Sequence, residues 1–77
     1  MTIDAMLGPI LGTPEGTLTL EDSPETIPSW DSATQVEVVL AVEEAVGKDL
    51  SAAEIFQLTS IRGIVDLLRS HGVAVTV

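Results

Sequence analysis

The sequence predicts an all-α domain, a small bundle of three to four helices with a long first loop. Apolar residues recur at helical spacing in separate short segments. Those segments open on Thr, Asp or Ser, and the two clearest stop at Gly47 and Gly72. With 77 residues there is room for one domain, and a chain of this size buries only about 60% of its unfolded surface, so its core is thin.

In the first segment, Ile3, Met6, Leu7, Ile10 and Leu11 follow a helical spacing, with Thr2 as N-cap and Asp4 in the first turn. Gly8 and Pro9 interrupt it. A proline in a helix interior removes a backbone donor and clashes with the preceding turn, at a cost of ~3 kcal/mol. A short, kinked or frayed helix is therefore expected. Residues 12–30 carry Pro14, Gly16, Pro24 and Pro28 and no helical period, which marks a long loop. Leu18, Leu20, Ile27 and Trp30 are its expected anchors to the body.

The strongest helix spans residues 31–46, capped by Asp31 or Ser32 and stopped by Gly47. Val38, Val42 and Val46, with Val39 and Ala45 beside them, form a core stripe. Ala33, Val36 and Leu40 make a second apolar stripe interleaved with Glu37 and Glu44, available to a partner. Ser51 and Glu54 form a capping box for a short helix to about Gln57. Thr59-Ser60 caps the last helix, whose core face is Ile61, Ile64, Val65 and Leu68. Residues 1–72 are thus read as the domain and 73–77 as a short C-terminal tail.

Twelve acidic residues against three basic ones give a formal net charge of −9. Such a field disfavours nucleic acid and anionic membranes and favours proteins with Lys/Arg patches, besides promoting solubility. The chain has no cysteine, hence no disulfide or thiolate metal site. No apolar run approaches the ~20 residues of a membrane span, and the first residues lack the basic and apolar regions of a secretory signal. A cytoplasmic location is expected.

Catalysis by the chain itself finds little support. The one histidine, His71, falls in the last turn of the last helix, where it interacts favourably with the helix C-terminus; a Ser–His–Asp triad needs a base oriented in a pocket. No D-x-D-x-D-G calcium loop and no glycine-rich phosphate loop is present. Glu43 and Glu44 are sequence neighbours and diverge on a helix.

The constellation that carries chemistry is Ser29-Trp30-Asp31-Ser32 at the start of the best helix, followed by V-E-V-V-L-A-V-E-E-A-V-G. It resembles the acyl carrier protein family, in which Asp-Ser-Leu opens the second helix ahead of an acidic residue and a Val/Leu-rich stretch ending in Glu-Glu. Asp31-Ser32, Val36-Glu37, Glu43-Glu44 and Leu58-Thr59 match the family's positions without a gap, over about Leu20 to Gly72. A Trp directly before Asp-Ser is similar to discrete carriers of specialised pathways, whereas the Gly-Gly-His/Asp-Ser pattern of peptidyl carriers is absent. Ala33 departs from the family, which has Leu there, and the Pro9-interrupted first helix is a second departure; either could narrow the range of partners.

The resemblance implies a discrete, monomeric carrier that is not itself an enzyme, with 4'-phosphopantetheine attached at Ser32. Implied partners are a phosphopantetheinyl transferase, an acyl or aminoacyl ligase or acyltransferase, and ketosynthase-type enzymes with basic patches. They would read Asp31, Ala33, Val36, Glu37, Leu40, Glu44 and Leu58. A serine at a helix start is reachable by another enzyme, and the helix N-terminus favours a phosphodiester. Val38, Val42, Val46, Leu50, Leu58, Ile61 and Val65 should line the interior, which in relatives opens around an acyl chain. An aminoacyl or peptidyl carrier on the same scaffold, or an unmodified acidic adaptor with Ser32 serving only as a cap, are the alternatives.

Overall fold

Thr2 does cap the first helix, its hydroxyl accepting from the Ala5 N–H at 3.1 Å. In the computed structural model, which describes residues 1–77, α1 spans Ile3–Leu11, α2 Ser32–Val46, α3 Ala52–Phe56 and α4 Ile61–Ser70, with no strand. Pro9 neither frays nor ends α1, which continues to Leu11 and a left-handed cap at Gly12. The helix is short, nine residues, as expected, and it runs through Pro9 because Pro9 and Ala5 are both exposed. The Ala5 carbonyl that Pro9 cannot serve lies one turn back on the same solvent-facing side, where water can satisfy it.

The core forms where the helical stripes converge. Val38 and Val42 from α2 and Ile61, Ile64, Val65 and Leu68 from α4 are fully buried, together with Ile3 and Leu7 from α1. Leu67, outside the expected stripe, joins them, whereas Val46, at the last position of α2, is only half-buried. The long loop is ordered by its anchors as expected: Leu18, Ile27 and Trp30 are buried and Leu20 partly so. Its backbone reaches the start of α4, where Ile61 N–H donates to the Asp22 carbonyl and Arg62 N–H to that of Leu20. The Asp22 carboxylate takes the Thr19 N–H and the Thr26 hydroxyl, which hold its pKa below the ordinary value.

Residues 73–77, read from the sequence as a short tail, are bonded to the start of the chain. Ile3 N–H donates to the Thr76 carbonyl and Thr76 N–H to that of Met1, an isolated parallel bridge beside α1. Val75 is buried and its carbonyl accepts from the Arg69 guanidinium. The domain therefore continues past the Gly72 helix stop. No helix is long and apolar enough to cross a membrane.

Candidate functional site

At the start of α2 the two candidate caps separate. Asp31 takes the capping position: its Oδ1 accepts from Ala33 N–H and Thr34 N–H, both at 3.0 Å, and its own N–H donates to Thr34 Oγ1 at 2.8 Å. This is a reciprocal capping box with Thr in the place usually held by Glu or Gln. The bond from Thr34 N–H is the largest of the effects that lower the Asp31 pKa, so the group is a carboxylate at neutral pH.

Ser32 is left as the first residue of the helix, exposed, with a hydroxyl that bonds to nothing in the chain. Every other serine is engaged. Ser29 donates to the Leu11 carbonyl and Ser70 to that of Leu67, while Ser23, Ser51 and Ser60 accept from backbone N–H groups. The Ser32 amide likewise donates to no other backbone group. Two donors of the helix N-terminus are already committed to Asp31, so an anion on Ser32 would meet the free Ser32 N–H and the helix dipole, with the Asp31 carboxylate alongside.

Ser32 stands at the mouth of an open groove of about 520 Å3. It is lined by Trp30 and Gln35, by Ile55 and Phe56 of α3, by Leu58 and Thr59 of the following turn, and by Pro24 of the long loop. Its volume lies in the range that accepts a small ligand, ~300–1,000 Å3. Phe56, the one phenylalanine, leaves 78% of itself in solvent at the groove's lip. Gln35 ties this lining together. Its carboxamide oxygen accepts from the Trp30 indole N–H at 2.6 Å, and its amide donates to the Leu58 carbonyl at 2.9 Å. On the far side, Glu54 of α3 completes the Ser51 capping box and pairs with His71 Nε2 at the end of α4. The Ser51 N–H, and then His71, draw the Glu54 pKa down to about 2. His71 thus has a specific partner beyond the helix terminus.

Of the expected recognition residues, Asp31, Ala33, Val36, Glu37, Leu40 and Glu44 are all exposed. From Ala33 to Glu44 they share one side of α2 at i, i+3, i+4 and i+7 spacings. Val36 and Leu40 leave 59% and 58% of their surfaces in solvent, large values for apolar side chains. Leu58 does not belong with them: it is fully buried, because the turn before α4 folds it into the core, and it is accessible only as groove wall. Glu43 and Glu44 diverge as expected, Glu43 accepting from Leu50 N–H at 2.9 Å while Glu44 stays exposed. Gln35, Phe56 and the Glu54–His71 contact were not singled out as functional from the sequence. The one Phe of the chain, at the end of a short helix, was the only available signal.

No protein-family model, curated protein or solved structure matches this chain.

Proposed function

We propose that the chain is an acyl carrier protein, carrying acyl or polyketide-type groups as thioesters on 4'-phosphopantetheine at Ser32 and presenting them to partner enzymes. One observation carries this reading: Ser32 is the serine whose hydroxyl the fold does not use. Because Asp31 caps α2, the helix start does not need Ser32. An exposed, unbonded hydroxyl beside an apolar groove fits the attachment of a flexible arm.

A phosphopantetheinyl transferase would join Ser32 Oγ to the phosphopantetheine phosphate of coenzyme A, with loss of the serine proton and release of the nucleotide half. The arm supplies a thiol that holds the acyl group as a thioester. The chain's own residues do the rest. Asp31 and Thr34 fix the first turn of α2 and hence the exit direction from Ser32. The exposed Val36–Leu40 stripe, flanked by Glu37 and Glu44, offers apolar contact and negative charge to a partner with Lys/Arg around its active-site entrance. Tethering raises the effective concentration of cargo at that entrance.

Incubation with coenzyme A and a broad-specificity transferase, followed by intact-mass measurement, tests the reading. A gain of one phosphopantetheine supports a carrier, and an unchanged mass favours an unmodified adaptor. Loading of the modified protein by acyl as against aminoacyl ligases then separates the two carrier classes.

A further inference from the structure

Beside Ser32 the groove ends on a polar bar. Gln35 is half-buried, and its carboxamide spans from the Trp30 indole N–H at 2.6 Å to the Leu58 carbonyl at 2.9 Å, joining the long loop, α2 and the turn before α4. Trp30 is only 3% exposed and Leu58 is fully buried. Water would have little access to either polar group if the bar parted, and an unpartnered buried donor or acceptor bears its whole desolvation cost. The core residues Val38, Ile61 and Val65 are fully buried, and the other two grooves open along α1 and between α1 and α2. There is thus no ready space for an alkyl chain inside the bundle.

We infer that Gln35 sets the depth of the groove and thereby the class of cargo: short acyl groups lie in the groove, and longer alkyl chains stay outside the bundle. The inference rests on Ser32 as the attachment point and goes beyond it. A long chain entering the bundle would have to break both bonds of Gln35 and wedge apart a filled core. The interior opening implied by the family resemblance is, in this chain, blocked by one side chain.

The absence of cysteine gives a test that needs no transferase. Ser32→Cys introduces a single thiol at the mouth of the groove. Its thiolate displaces methanesulfinate from butyl or decyl methanethiosulfonate, forming a mixed disulfide, with the thiol proton lost to buffer. Melting temperature and acrylamide quenching of Trp30, the one tryptophan, are then read with Gln35 present and in a Gln35→Leu background. With Gln35 present, butyl and decyl proteins should melt within about 2 °C of each other and quench alike. In the Gln35→Leu background the decyl label should raise the melting temperature by roughly 5–10 °C over butyl and reduce quenching, since each further buried methylene stabilises a domain this small measurably. A decyl gain of that size with Gln35 present overturns the inference, as does no gain in a folded Gln35→Leu protein. If Gln35→Leu does not fold, the comparison with Gln35 present decides alone. Because the label bypasses the transferase, failure here is distinct from failure of Ser32 to accept phosphopantetheine.

Discussion

Replacing Gly63 by alanine puts a methyl group where the backbone of another element already lies. Gly63 is the third residue of α4, and a Cβ there would sit 2.0 Å from the Gln57 carbonyl oxygen and 3.2 Å from its carbon. A real contact needs at least 3.0 Å, so the two backbones must part by about 1 Å. Gln57 is the C-cap of α3, its N–H donating to the carbonyls of Glu54 and Ile55, so the movement is transmitted to the wall of the groove. Overpacking a core by a methyl costs about 1–3 kcal/mol, and a backbone obstacle belongs at the upper end. Alanine's helix preference offsets up to ~1 kcal/mol, leaving a net loss of about 2 kcal/mol. At ~4–8 °C per kcal/mol in a domain of this size, the melting temperature should fall by about 8–16 °C. Gly8→Ala is the matched control. It too is helical, but its Cβ would meet only the Thr13 carbonyl oxygen at 3.5 Å, an ordinary contact. Pro9 follows Gly8 and disfavours a Cβ on a helical residue before it, which offsets alanine's helix preference, so the same substitution should there shift the melting temperature far less than at Gly63. Thermal melts followed by circular dichroism read both. A Gly63→Ala protein that melts at or above the wild type would refute the close approach of α3 to α4.

Leu68 is fully buried, so Leu68→Ala should cost about 2–5 kcal/mol, a large share of the ~5 kcal/mol available to a small domain; an unchanged melt would place Leu68 on the wrong face. Glu54 has a folded pKa of about 2 against an ordinary 4.5. Its ionised form therefore stabilises the fold fully above pH 4.5, and that contribution is lost as the pH falls toward 2. Glu54→Gln can keep the capping box, so the melting-temperature difference from wild type should be largest above pH 4.5 and shrink toward pH 2; a difference independent of pH would contradict the assignment. Glu37→Lys and Glu44→Lys should slow acyl transfer onto the modified protein at low salt with little change in stability, and the wild-type rate should fall as added salt screens charge over ~10 Å at 0.1 M. Wild-type rates from both variants would remove this face from docking.

Most of the helical frame was legible because it is written locally. Ser51 with Glu54, Ser60, Gly47 and the 3.6-residue spacing of Ile61, Ile64, Val65 and Leu68 each act within a turn or two of their own position. That α1 is short was legible, but not that it runs through Pro9, because the cost of a proline depends on whether the orphaned carbonyl is wet, which requires knowing which side of α1 faces the core. Residues 73–77 could not be read because their partners, Met1 and Ile3, lie at the other end of the chain. Ser32 was legible by type and context, but its freedom was not: either residue of Asp31-Ser32 could have capped the helix, and only the bonds from Ala33 and Thr34 decide between them. Gln35 gave no signal at all, since its role depends on a carbonyl 23 residues away.

The most direct test of the carrier reading locates the modification. Wild type and Ser32→Ala, each incubated with coenzyme A and a broad-specificity transferase, are compared by intact mass, and the modified wild type is mapped by peptide sequencing. Ser32 caps nothing, so the variant should keep the wild-type helicity. The account predicts one phosphopantetheine on the wild type, on the peptide containing Ser32, and none on the variant. A folded wild type that gains no mass, or a Ser32→Ala protein that is still modified, would contradict it.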